Sequence, residues 1–212
     1  MPLRGTRLQR RLIAVVTVGE FVGFAVSAMV GAFTARASAA VMLPAVLAAG
    51  AVEGALLGGS HAIVLRRAIS GISSRRWVGV TAAAAVVAYA IGMLPSMLAG
   101  RLSQVPPGLL AVAVAVLGTV LLASIGFGQW FVLRRVVRRS ASWIVITAVA
   151  WTVGLGVFLG FTTLLWRPGQ SVAVITLIGI VGGLLMAATT ATITGDGLRR
   201  LLARRSSDVV AL

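Results

Sequence analysis

Residues 125–139 read IGFGQWFVLRRVVRR. An apolar, glycine-spaced segment runs into Gln129 and Trp130 and then stops at four arginines. The same pattern stands earlier at residues 56–67, LLGGSHAIVLRR, and later at residues 191–200, ATITGDGLRR. Each time a long hydrophobic run ends in Leu-Arg-Arg. A run of that length closed by fixed positive charge is what a membrane crossing with a basic exit looks like.

Composition agrees with that reading. The chain has 212 residues, of which 59% are hydrophobic and 11% charged. Its mean hydropathy is +1.04. A soluble domain usually carries about 25% charged residues. Too little polar surface is left here to present a wet exterior, so the bilayer is the natural solvent. All 19 basic residues are arginine, and four acids oppose them: Glu20, Glu53, Asp196 and Asp208. A net charge of +15 raises the question of nucleic acid. The absence of cysteine excludes disulfides and thiolate metal sites.

Six apolar spans follow one another at residues 12–33, 41–65, 77–98, 109–133, 143–166 and 172–193. Each has about 20 residues or more, enough to cross a hydrocarbon core of about 30 Å at about 1.5 Å per residue. In lipid they must be helices, because each segment has to satisfy its own backbone. The first span is too long for the apolar core of a cleaved signal peptide, and Ala35-Arg36-Ala37 is only a weak mimic of a cleavage site.

The arginines then sort by side. Arg4, Arg7, Arg10 and Arg11 precede span one; Arg66, Arg67, Arg75 and Arg76 separate spans two and three. Arg134, Arg135, Arg138 and Arg139 separate spans four and five; Arg199, Arg200, Arg204 and Arg205 follow span six. The alternate loops hold Arg36, Arg101 and Arg167 alone. Sixteen against three places both termini in the cytoplasm of a bacterial plasma membrane. The clusters are read as topology anchors against anionic headgroups, and the even split argues against a nucleic-acid surface.

The spacing also repeats. Leu65-Arg66-Arg67, Leu133-Arg134-Arg135 and Leu198-Arg199-Arg200 are offset by 68 and 65 residues, and Trp77 and Trp143 by 66. The expected architecture is all-α: one membrane domain of six helices, built as three tandem hairpins at residues 10–67, 75–135 and 138–200. A cytoplasmic tail of residues 201–212 would follow. An even number of spans per unit gives copies of one orientation, hence a pseudo-threefold about the membrane normal.

The repeat brings equivalent positions into view. His61, Gln129 and Thr194 each stand five residues before the first arginine of a stop. Gly58, Gly126 and Ala191, all small, stand eight before it. Small residues let helices approach, and polar ones bond across the contact. The three polar residues are either a layer tying helices together or the cytoplasmic end of a polar pocket. A lone histidine makes no metal site, and no cofactor is expected.

Glu20 and Glu53 lie deeper, about 13 Å and about 20 Å from the nearest anchors along their helices. An intramembrane carboxyl costs about 2.5–3.5 kcal/mol to insert and marks a candidate site. Each sits beside small residues, Gly19 and Gly23 or Gly54 and Gly58, and is expected to point inward, either bonded to a neighbouring helix or serving a ligand. Asp196 adjoins Arg199 and Arg200 and is read as a capping or charge-paired residue. Trp77, Trp143 and Trp166 lie at span ends and read as an interfacial belt, with Trp130 near the same boundary. Trp151 lies inside span five, where it fills a gap among small residues or walls a pocket beside Glu20.

No G-x-S-x-G, H-E-x-x-H or phosphate-loop pattern is found, and Ser60 and His61 are helix neighbours that do not face each other, so an enzyme is not expected. The segment Gly126-Phe127-Gly128-Gln129-Trp130-Phe131-Val132-Leu133-Arg134, followed by Trp143, resembles a G-x-x-Q-W-x-x-L-R-x…W repeat of uncharacterised bacterial multispanning membrane proteins. The first hairpin keeps Gly58, His61 for Gln and Leu-Arg-Arg; the third keeps only Leu-Arg-Arg. That resemblance implies no activity. In size and span number the chain is also similar to the substrate-binding subunits of energy-coupling-factor vitamin transporters, with Ala25-x-x-Ala28 as a small-residue match.

The function expected is small-molecule or ion handling, by transport or ligand binding. Its site would draw on Glu20, Glu53, His61, Gln129, Trp151 and Thr194. The alternative is a non-catalytic membrane subunit or scaffold, docking a partner through glycine-rich faces or the arginine loops. Expected partners are membrane lipids, and a protein partner or second copy of the chain.

Overall fold

The computed structural model describes residues 2–69, 71–138 and 140–210, and the side chains of all of these except 2–9, 12 and 204–210. Seven helices occur among the described residues: α1 (Pro2–Thr34), α2 (Ala39–Ala68), α3 (Ser74–Met97), α4 (Ala99–Leu102), α5 (Pro107–Leu133), α6 (Ser142–Leu165) and α7 (Val172–Val210). Six of them are long and apolar enough to cross a membrane. This is an all-helical, membrane-embedded protein.

The spans expected from hydropathy lie within these helices to a few residues at each end. Three differences stand out. The α1 helix starts at Pro2, ahead of its apolar run, and α7 continues through the last arginines to Val210. Most of the segment expected as a tail is therefore helical. The short α4 fills the connection that carries Arg101. Among the polar residues of the helices, many hydroxyls return to their own backbone. Thr152, Thr162, Thr189 and Thr192 each donate to the carbonyl four residues back. That bond is how a threonine stays satisfied where no water is present.

Each long helix packs against the long helices before and after it, and α7 packs against α1. The six therefore close into a ring in chain order. Close approach is set by glycines. A Cβ at Gly58 of α2 would stand 3.0 Å from both Val78 and Thr81 of α3; one at Gly126 of α5 would stand 3.0 Å from both Ile144 and Thr147 of α6.

Burial is concentrated at one end. The main core joins Val16, Leu65, Ile69, Trp77, Leu133, Val137, Trp143, Leu198 and Leu201. These residues come from the α2–α3 turn, the α5–α6 turn, α1 and α7, so the arginine-bearing ends gather there. In α5 the buried residues are Ile125, Gly126, Gln129, Val132 and Leu133, all in its last third. In α6 they are Trp143, Thr147, Ala150 and Gly154, none of them in its last third. The main core of the ring therefore lies toward the arginine end.

Candidate functional site: a plug and a cavity

The arginine end is closed by an aromatic and polar plug. The rings of His61, Trp77 and Trp143 stand 6.4, 6.4 and 6.3 Å apart, pair by pair. Gln129 sits beside them: the Trp143 indole N–H donates to its Oε1 at 2.8 Å, and its Nε2 donates to Thr81 Oγ1 at 3.3 Å. One side chain thus ties α3, α5 and α6. Thr194 turns its hydroxyl back to the Thr190 carbonyl at 2.7 Å. His61, Trp143 and Thr194 line a void of about 10 Å³, roughly the room of one water. The imidazole nitrogens of His61 and the indole nitrogen of Trp77 are buried with no hydrogen-bond partner.

Here the belt reading of two tryptophans is corrected. Trp77 is 0% exposed and Trp143 1%, whereas Trp166 is 52% exposed. Belt and core tryptophans occupy the same place along a span. What differs is the direction in which they leave the helix, and in Trp77 and Trp143 it is inward. Trp130 lies at the boundary with Arg134, whose guanidinium carbon stands 4.8 Å above its ring and 3.9 Å above that of Phe131. Such stacking suits an arginine at the end of a span.

The expected anchors Arg10, Arg11, Arg66, Arg67, Arg75, Arg76, Arg134, Arg135, Arg138, Arg199 and Arg200 are exposed. Arg139 lies outside the described residues. Arg199 pairs with Asp196 at 3.6 Å, an i, i+3 contact at the helix surface.

Beyond the plug lies a cavity of about 330 Å³. All six long helices line it, through Phe24, Glu53, Tyr89, Leu121, Trp151 and Met186 among others. Phe24, Glu53, Leu121 and Met186 each stand thirteen residues from Arg11, Arg66, Arg134 and Arg199 respectively. At about 1.5 Å per residue they form one layer about 20 Å from the arginine end, past the middle of a core about 30 Å thick. The cavity reaches from Leu57 on α2 and Ile125 on α5, nearer the arginines, to Val46 on α2 and Met93 on α3, farther from them.

Glu53 is the acidic residue of this wall. It is 6% exposed, and the Tyr89 hydroxyl donates to its Oε2 at 2.5 Å. Gly23 of α1 lets the Glu53 backbone approach: a Cβ there would stand 3.1 Å from its Cα. Glu20 is also buried, beside Thr190 of α7, with neither oxygen in a hydrogen bond. It does not line the cavity. Both acids point inward, but they serve different surroundings. Trp151 is half-buried; it packs on Leu57, Ala84 and Ile125 and walls the cavity beside Glu53 rather than Glu20.

Tyr89 and Thr81 had no signal in the pattern. Tyr89 is the one tyrosine of the chain, yet it stands in an alanine-rich run that reads only as apolar. Its partner lies 36 residues away on another helix. Among the described residues no cluster of His, Asp and Glu is arranged to hold a metal ion. Comparison with known proteins gives no match to a family model, a curated protein or a solved structure.

Proposed function

We propose that this protein binds or transports a small molecule, held in the cavity at the Glu53–Tyr89 pair and admitted from the face opposite the arginines. One observation carries the reading: a cavity of about 330 Å³ lined by every long helix and holding a buried carboxyl. A site at the convergence of helices, mostly apolar with a few polar groups, is where ligands are usually bound. Rigid bundles do not leave such a space empty without cost. On this reading the plug of His61, Gln129, Trp143 and Thr194 is the closed end, and the arginine face is cytoplasmic.

The same reading takes the ring as three hairpins about one axis. In support, Gly58 meets Val78 and Thr81, and Gly126 meets Ile144 and Thr147, at the 66-residue and 68-residue offsets of the sequence repeat.

A chain without cysteine allows a direct test. Single cysteines replace Ala88 and Leu122, both on the cavity wall, and Ala62 in the plug. A membrane-impermeant thiol reagent is added to one face at a time. Ala88→Cys and Leu122→Cys are expected to react from the face opposite the arginines, and Ala62→Cys from neither. If positions 88 and 122 stay unlabelled from that face in a folded, inserted protein, the cavity is not an accessible ligand site.

The scaffold reading keeps one observation. Gly156 and Gly160, four apart on α6, meet nothing within 4 Å. A docked helix would need that face, and Gly156→Leu with Gly160→Leu would then release a partner from the native membrane while leaving cavity labelling unchanged.

A further inference from the structure

We infer that the cavity takes a small organic cation: one positive charge on an apolar or aromatic body. The inference rests on the ligand-site reading and adds the chemistry of the occupant.

The wall decides it by what it offers. Glu53 supplies one carboxyl, and Tyr89 supplies a hydroxyl that already donates to it. The other residues lining the cavity are glycine, apolar or aromatic, and none is basic. An anion would find no positive partner. A sugar or amino acid would bring several polar groups, and each one left unpaired in an apolar site costs about 1–3 kcal/mol. A metal ion would find too few oxygens, since Ca²⁺ takes about 6–8. A neutral hydrocarbon would gain little over the lipid around it, and the buried carboxyl would have no role.

A cationic amphiphile answers each feature. Its charge sits against the Glu53 carboxylate, a pair that geometry and burial strengthen. Its body lies among Phe24, Trp151 and Met186. Aromatic faces attract a cation electrostatically, and a methionine adapts to varied shapes. One acid balances one charge. A volume of about 330 Å³ is at the small end of the range for ligand sites, about 300–1,000 Å³.

The test uses the purified full chain in detergent and three probes followed by calorimetry. Benzyltrimethylammonium is a small aromatic cation; tetraphenylphosphonium is a larger one; tetraphenylborate is an anion of the latter's shape. At least one cation is expected to bind and the borate is not. Glu53→Gln, checked as monodisperse, is expected to weaken cation binding by about tenfold or more, equivalent to about 1.4 kcal/mol. Tyr89→Phe keeps the charge and is expected to cost less. Binding of the borate as tight as that of the phosphonium, or binding of neither cation, overturns the proposal. The phosphonium–borate comparison needs no variant, so a Glu53→Gln protein that fails to fold does not spare it. Cysteine labelling at positions 88 and 122 separates the two failures. If they label from the face opposite the arginines while no cation binds, the occupant class is wrong and the ligand site stands. If they do not label, both fall.

Discussion

Leu133 and Leu121 stand on one helix, a little over three turns apart. Leu133 is 1% exposed and sealed in the main core. Leu121 faces the void in front of Glu53. Toward the arginines the side chains inside the ring are joined in the main core; farther along, side chains from all six long helices surround a cavity. The same contrast holds on α6, where Trp143 is buried in the plug and Trp151 walls the cavity. The difference between the two halves is one of packing before it is one of chemistry.

The first way to break that contrast is to make the same change in both halves. Leu133→Ala is expected to cost about 2–5 kcal/mol, because its neighbours are fixed by close packing and cannot collapse into the hole. Leu121→Ala only enlarges a space already present, and is expected to cost less than about 1 kcal/mol. Unfolding of the purified variants in detergent measures both. Equal losses would mean that the far half is as tightly packed as the plug and that the cavity is not a feature of the folded state.

The contacts between helices give a second, smaller test. A Cβ at Gly54 would stand 2.6 Å from that of Ala85 and 2.8 Å from the Cα of Ala82. The backbone of α3 cannot retreat from it, so Gly54→Val is expected to cost about 1–3 kcal/mol by overpacking. Gly118 on α5 meets nothing within 4 Å. Gly118→Val carries the same change in helix propensity and should lie within about 0.5 kcal/mol of the unaltered protein. Comparable losses at both sites would make propensity, not helix contact, the reason for glycine at position 54.

How much of this was open to reading from the residues alone depends on what kind of fact it is. Span length, helix type and the inward direction of Glu20 and Glu53 are consequences of one solvent acting on single segments, so they are visible locally. The gathering of arginines at one end follows from counting spans. Azimuth is another matter. The sequence places Trp77 and Trp143 at the ends of spans, where lipid headgroups and a closed core are equally near, and nothing local says which way the ring turns. The Glu53–Tyr89 bond joins α2 to α3 and depends on how two helices are rotated against each other. The cavity is the least legible of all, because it is made by what small residues such as Ala88 and Gly92 fail to fill.

The smallest predicted effect concerns the plug and compares two of its own corners. In one, Gln129 accepts from the Trp143 indole N–H. In the other, His61 meets Trp77 edge-on at 6.4 Å between centroids, and neither imidazole nitrogen nor the Trp77 indole nitrogen has a partner. The pairs are related by the offsets of the proposed repeat, 68 for His61 to Gln129 and 66 for Trp77 to Trp143. If the corners are equivalent, a glutamine at position 61 reaches the Trp77 indole as Gln129 reaches Trp143. His61→Gln should then raise stability by about 0.6 kcal/mol, the average for a hydrogen bond between helices in a membrane protein. Gln129→His should lower it by a similar amount, since it removes an acceptor from Trp143 and a donor from Thr81. Opposite signs in the two substitutions are the signature sought, and unfolding in detergent with enough replicates to resolve a few tenths of a kcal/mol provides it. A loss of stability in both would show that the two corners are not copies of one another, and that the histidine is fitted to its own aromatic neighbours rather than standing in for a glutamine.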